Sequence, residues 1–254
     1  MFFPLTNPIR FTKNSTLASS SVFPSIDNQL QRVEYYGDNK KLSYYKEFFA
    51  GKTLIFQYNN SASVTVTPYK DGAAQTTISA TEITPSGWVS GKVFKHSITL
   101  TKGVWYFITD NGYTSDTIFV TDKIKNIVEI SYFNSYNDFD TVFYSGTTKV
   151  FNPVNYFSGS FVEGIPFVEY GAYKSDENIE QKMRATSVRE YAVNLFAVHK
   201  TLIASVIDMF NCDNITINGV ECSNAVPTIE NIEGVDCVNI SAKLSQKTNN
   251  HRTR

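Results

Sequence analysis

From Leu42 onward the chain alternates polar and apolar positions in short runs, each closed by a turn signal. Thr53 to Tyr58 reads as a strand, and Asn59-Asn60-Ser61 turns the chain. Ala62 to Thr67 sets small or polar residues against apolar ones, the period-two signature of a half-buried strand. Asp71-Gly72 is a strong turn, and Thr76 to Ile83 follows with Ile78, Ala80 and Ile83 as core candidates. After Pro85-Ser86-Gly87, the run Val93 to Leu100 places Phe94, Ile98 and Leu100 on one face. Lys102-Gly103 leads into Val104 to Ile108, and Asp110-Asn111-Gly112 leads towards Thr117 to Val120. About seven short strands, with turns roughly every 8–12 residues, predict an immunoglobulin-like β-sandwich over 42–122. Trp105 or Phe107 is its expected core aromatic, and no Cys…Trp…Cys spacing supplies the disulfide of antibody domains.

The pattern changes near Thr121. Ile124 to Phe133 and Thr141 to Tyr144 read as strands on either side of a polar-aromatic loop, Asn134 to Asp140. Phe151 to Gly171, with Pro153, Gly159, Gly164 and Pro166, reads as bent strands or a long hairpin, and Ser175 to Arg184 as a charged, exposed segment. Ser187 to Ala197 alternates, with Val188, Tyr191, Val193 and Leu195 pointing inward. Leu202, Ile203, Val206, Ile207 and Phe210 recur at three- and four-residue steps, so one amphipathic helix is expected over about 199–211. Strands at Ile215 to Ile217 and Val238 to Leu244 close the pattern. The fold class is therefore mainly β: the sandwich, then a second β-rich domain over 123–247 with one helix, and a polar tail over 248–254.

Residues 1–41 show no sustained period. Pro4, Pro8, Pro24 and the serines Ser19 to Ser21 interrupt spaced apolar anchors at Phe2, Phe3, Ile9, Phe11, Val22 and Phe23. A disordered tail has few such anchors, whereas an extended arm laid across another surface keeps them. The expected seat is this chain or a neighbouring copy.

Composition narrows the function classes. Lys and Arg number 23 against 24 Asp and Glu, which offers neither a nucleic-acid glove nor a polybasic membrane patch. A low charged fraction of 19% beside 14% aromatic residues suits strands and contact surfaces rather than a solvated helical bundle. Met1 to Leu5 is apolar but lacks a basic start and is broken by prolines, so no secretion leader is expected. The stretch Leu195 to Phe210 is interrupted by His199, Lys200, Ser205 and Asp208, so no membrane span is expected. Without a leader, the Asn-x-Ser/Thr triplets at Asn14, Asn59, Asn214 and Asn239 carry no meaning. Cys212, Cys222 and Cys237 read as small buried apolar residues, since no Cys-x-x-Cys pair or ligand set accompanies them.

Candidate chemistry is sparse. His96, His199 and His251 share no metal-ligand spacing, and no Gly-x-Ser-x-Gly elbow or phosphate-binding glycine loop occurs. Sugar hydrolysis needs only two carboxylates across a cleft, and Asp138 with Asp140 is the best pair, Glu163 with Glu169 the next. Turn-forming acids are the plainer reading of Asp138 and Asp140. A calcium loop using them with Asn134 or Asn137 lacks the glycine and distal glutamate of an EF-hand. The expectation is no catalytic residue, no cofactor and no metal, with Tyr132 to Phe143 serving as an interface.

Three stretches carry a resemblance. They are Tyr44-Tyr45-Lys46-Glu47-Phe48 with Thr53 to Tyr58; Ile130 to Asn134 with Asn137 to Phe143; and the block from Val188-Arg189-Glu190-Tyr191 through the helix to Ile215 to Gly219 and Ala242 to Lys247. In this order they resemble virion structural proteins of tailed phages infecting Bacteroidetes, crAss-like phages included, of the ring or tail-hub kind. The resemblance covers most of Tyr44 to Lys247. It implies a non-enzymatic building block of the virion tail, made in the host cytoplasm and repeated in a closed ring of about six or twelve copies. The implied partners are other copies, the portal and tail proteins above and below, and DNA in passage without sequence-specific binding; no membrane is implied. The competing reading is a carbohydrate-binding or glycan-cleaving receptor-binding tail module, in which Tyr136 or Phe139 stacks on sugar and Asp138 cleaves. A secreted adhesin is disfavoured by the missing leader.

Overall fold

Strand propensity and alternation are realised along most of the chain in a computed structural model. It describes residues 1, 3, 7–13, 32–36, 40–44, 46–84, 91–122, 126–133, 152–164, 167–174, 180–234 and 237–246. The first strands are β1 (Phe11–Lys13), β2 (Arg32–Tyr36), β3 (Lys40–Tyr44), β4 (Lys46–Phe49), β5 (Thr53–Asn60), β6 (Val66–Lys70) and β7 (Ala73–Ala74). Then come β8 (Thr81–Glu82), β9 (Lys92–Thr99), β10 (Gly103–Thr109), β11 (Tyr113–Ser115), β12 (Ile118–Thr121) and β13 (Ile127–Phe133). The remainder are β14 (Val154–Glu163), β15 (Phe167–Lys174), β16 (Glu180–Val188), β17 (Glu190–His199), helix α1 (Ile203–Phe210), β18 (Asn214–Ile217), β19 (Val220–Asn231) and β20 (Cys237–Gln246). The protein is mainly β with one α-helix among the described residues.

Apart from the two-stranded β2–β3 sheet, two sheets make the first half. A seven-stranded sheet runs β1-β11-β10-β12-β4, with β6 and β7 attached through β10, and a three-stranded sheet runs β5-β9-β8. Their facing residues share one core: Leu54 and Phe56 from the small sheet, and Phe48, Val66, Trp105, Phe107, Ile118 and Val120 from the large one. Leu100 lies in the same core. Trp105 and Phe107 are both buried, and each such side chain removed from water contributes about 2–3 kcal/mol. Gly103 (φ 144°) takes a backbone setting few other residues adopt, and an added Cβ would press on the Asp71 carboxylate. That explains the tight entry into β10.

The second half is a closed barrel, β13-β14-β17-β20-β19-β18, antiparallel throughout. Tyr191, Val193 and Leu195 alternate inward on β17, as do Val238, Ile240, Ala242 and Leu244 on β20. The predicted helix begins as a 3-10 turn at Lys200–Leu202 and continues as α1, seating Val206, Met209 and Phe210 in the barrel core. All three cysteines are free and buried.

Three features of the chain go beyond its sequence pattern. Within the stretch read as an arm, Arg32–Tyr36 and Lys40–Tyr44 pair as a hairpin. The segment read as charged and exposed is, over Glu180–Arg184, part of β16. Finally, β19 is three times the length of β18, and Pro227 lies inside it. Proline is tolerated there because β18 covers only Val220–Cys222, which leaves Val226–Asn231 paired to β20 on one side alone among the described residues.

Candidate assembly surfaces

The N-terminal segment 7–13 lies on this chain, across the open side between the two sheets. Its first attachment is to the small sheet. The Asn7 amide donates to the Gln57 carbonyl at 2.7 Å and accepts from the Gln57 N–H at 2.9 Å, standing in for a strand neighbour at the free edge of β5. Its last attachment is to the large sheet, where Phe11–Lys13 form a short antiparallel ladder with Tyr113–Ser115. Between them Ile9 is fully buried in the shared core. Phe3 stacks on Phe11 at 4.2 Å, and Phe11 meets Phe56 at 5.0 Å. The segment therefore sews the sandwich shut.

Charges fix its register. Arg10 donates two bonds to the buried Asp116 carboxylate, at 2.8 and 3.1 Å, while the Asp116 N–H donates to the Arg10 carbonyl at 2.9 Å. A two-pronged guanidinium–carboxylate pair of this kind is directional as well as strong. The Pro8 carbonyl accepts from the ammonium of Lys46, a residue only 8% exposed.

Lys46 also reaches the barrel. Its Nζ donates to Asn155 Oδ1 at 2.5 Å, Asn155 Nδ2 donates to the Tyr132 hydroxyl at 2.9 Å, and Tyr132 belongs to the barrel core. Phe48 and Phe49 set their rings edge-on to Tyr156, at 5.0 and 5.1 Å, and Tyr156, Ile127 and Val154 join the sandwich core. Desolvation is the largest influence on Lys46 and lowers its pKa to about 7; the nearby Asp116 opposes this and Arg10 reinforces it. Burial raises the Tyr132 phenol well above its usual value, with Cys212 adding to the effect and the Asn155 bond opposing it. Segment, sandwich and barrel thus converge on one buried ammonium.

On the far side, the barrel extends into an arm. β14 and β17 pair from Gly159↔Leu195 to Glu163↔Tyr191, the Gly164 N–H donates to the Glu190 carbonyl, and pairing resumes at Phe167↔Val188 and runs to Lys174↔Glu180. One two-stranded ladder thereby leaves the barrel and continues for about 30 Å at ordinary strand rise. Among the described residues β15 and β16 pair only with each other. Apolar side chains are exposed on the barrel strands: Val162 at 55%, Phe196 at 46% and, on the part of β19 that β18 does not reach, Val226 at 74%. Phe196 is turned out at a β-bulge where Ala197 adopts φ 51° and donates its N–H to Asn239 Oδ1.

The residues singled out for chemistry are not brought together. Asp138, Asp140, Asn134, Asn137, Tyr136 and Phe139 lie outside the described residues, as does His251. Glu163 is exposed and faces Arg189 at 3.5 Å; Glu169 sits on β15, away in the arm. His96 is buried, ring-stacked between Phe56 and Tyr58, and desolvation lowers its pKa to about 4. No group of three His, Cys, Asp or Glu residues suited to a metal occurs among the described residues. A shallow depression is lined by Ser131, Phe133, Asn152, Asn214, Thr216 and Glu221. Lys46, Asn155 and Asn7 escaped sequence reasoning, because nothing distinguishes a buried lysine or asparagine from an exposed one in a strand. The one available hint was a lysine set between aromatic residues in Tyr44 to Phe48.

These surfaces define a two-sheet unit and a barrel joined through aromatic contacts and a buried polar cluster, with a docked strap on the two-sheet unit and a two-stranded arm on the barrel. The chain matches no protein-family profile, no curated protein and no solved structure.

Proposed function

We propose that this chain is a structural virion protein that forms an oligomeric ring in the portal-proximal tail of a tailed phage, a head-to-tail connector or tail hub that supports the DNA passage. The observation that carries the reading is the arm. A lone two-stranded hairpin is marginal in water, so a ladder that leaves its barrel and pairs with no further strand among the described residues is suited to lie on a neighbour. Exposed Val162, Phe196 and Val226 add the apolar contact area that a head-to-tail interface buries. A net charge of -1 suits a channel through which DNA passes without being held by its phosphates. The resemblance to ring and tail-hub proteins of phages infecting Bacteroidetes points the same way. We read the sandwich as immunoglobulin-like on its short strands and on the parallel pairing of β4 with β12 that closes its large sheet.

Light scattering of the purified chain and electron microscopy of negatively stained particles test this. The expected result is a closed ring of about six or twelve copies. A monomer at every concentration up to about 0.1 mM, well above the Kd of a specific interface, would remove the reading.

A further inference from the structure

We infer that the seam between the two sheets is a peptide-binding groove whose occupant in the assembled ring is the N-terminal strap of a neighbouring copy. This deepens the ring reading and rests on it.

The groove reads a specific extended segment. The β5 edge takes the Asn7 amide, Lys46 takes the Pro8 carbonyl, the shared core takes Ile9, Asp116 takes Arg10, and the β11 edge takes Phe11–Lys13. These contacts are side-chain and backbone bonds to strands far along the chain, and no tight turn ties the strap to them. The groove also has reason never to stand empty, since removing the strap strips Asp116 of its guanidinium and Lys46 of one acceptor. Both groups are buried, and a buried charge left unpaired is costly.

The strap joins β2 through 14–31, a length of chain that reaches about 60 Å when extended. That exceeds the diameter of a domain of this size, so the same groove on an adjacent copy lies within range. Intra-chain docking competes at a local concentration on the order of millimolar, and neighbours fixed in a ring present their straps at a comparable value. Each strap gained by a neighbour is matched by one received, so the contacts are conserved and the exchange is nearly isoenergetic, as in other domain swaps. Closing a ring then adds cross-links between copies at no loss of contacts within them.

The register supplies the test. Lys13 and Tyr113 are directly opposed, and the Asp116 N–H bond to Arg10 makes Lys13–Tyr113 a non-hydrogen-bonded pair, whose closer Cα spacing suits a disulfide. Two full-length variants are made, Lys13→Cys and Tyr113→Cys, neither of which can close this bond within one chain. They are mixed, assembled and treated with oxidised glutathione, and a Lys13→Cys/Tyr113→Cys double variant reports seating within the chain. Exchange predicts a band at twice the chain mass from the mixture and from neither variant alone. Adding Arg10→Ala to the Lys13→Cys chain is expected to cut its yield about tenfold, the effect of losing a charge-assisted bond. Rings that form without an inter-chain band overturn the exchange and leave the ring reading intact. An inter-chain band without rings sinks the ring reading and leaves a simple swapped dimer. Neither rings nor band removes both.

Discussion

Lys46→Met isolates the energetics of the junction. The ammonium is buried with its pKa lowered from 10.5 to about 7, chiefly by desolvation. A base whose folded pKa is depressed binds fewer protons folded than unfolded, so stability rises with pH between the two values and is flat below the lower one. Between pH 6 and 9 the wild-type protein should gain about 2.7 kcal/mol from this group alone, nearly all of it above pH 7 at about 1.4 kcal/mol per pH unit for one proton. Methionine matches the stem and cannot titrate, so the variant should lack that gain. At pH 6 two effects oppose each other. The variant avoids burying a charge, but it leaves the Pro8 carbonyl and Asn155 Oδ1 without their donor, at about 1–3 kcal/mol each. Replacing buried ions by apolar groups is often neutral or stabilising, so the net change at pH 6 should fall within about 2 kcal/mol of zero. Urea titrations of both proteins at pH 6 and 9 give the double difference, in which the other titrating groups cancel. Equal pH responses from the two proteins would refute the placement of Lys46 in a dry junction.

His96 gives the acid counterpart. Its pKa is lowered from 6.5 to about 4, so stability is lost as pH falls through that interval, by about 2 kcal/mol between pH 7 and 4.5; His96→Leu should abolish the loss in the same urea assay. Gly159→Ala should cost about 3 kcal/mol or more, seen as a lowered urea midpoint, because the new methyl would fall on the Asn194 carbonyl oxygen of the paired strand. Asp116→Ala leaves the partly exposed Arg10 without its carboxylate and should destabilise by about 1–3 kcal/mol. Trypsin should then cut after Arg10 and Lys13 faster than in the wild type, and unchanged cleavage would argue against the strap's seat.

What the sequence revealed follows from how each element is held. Period-two alternation located β17 and its inward residues, because one face lies in the barrel core and the other nearer solvent, while β5, β9 and β10 were legible as apolar runs between turn signals. The helix was legible for the same reason at a period of 3.6, although its Met209 was missed. β19 escaped because its distal half has both faces exposed, so burial imposes no alternation on it, and Pro227 argued against a strand unless its edge position was known. β4 escaped because Lys46 breaks the apolar pattern at a buried position. Bent strands or a long hairpin were expected within Phe151 to Gly171, but β14 pairs with β13 and β17 while β15 pairs with β16, a register that no local signal encodes. The candidate assembly surfaces were legible only as apolar anchors at Phe3, Ile9 and Phe11. The polar partners of the same segment lie about fifty to a hundred residues away, Gln57 for Asn7, Tyr113 for Lys13 and Asp116 for Arg10, and only the fold brings them together.

That long reach bears on why the junction is polar at all. An apolar contact between strap, sandwich and barrel would hold them equally well in several registers, because burial of hydrocarbon has no direction. An ammonium shared between the Pro8 carbonyl and Asn155 Oδ1 has one arrangement in which its bonds are made, and the Arg10–Asp116 pair beside it repeats the constraint on the strap. The cost is the desolvation that lowers the Lys46 pKa, and it is borne where three separate parts of the chain must meet in a single geometry. In a ring, an error in the angle between sandwich and barrel would accumulate from copy to copy and prevent closure. The buried Lys46 contact between the two limits the error within each copy. A strap seated from a neighbour would place its Pro8 carbonyl on the same ammonium, so the contact joining two copies would also set the angle within one.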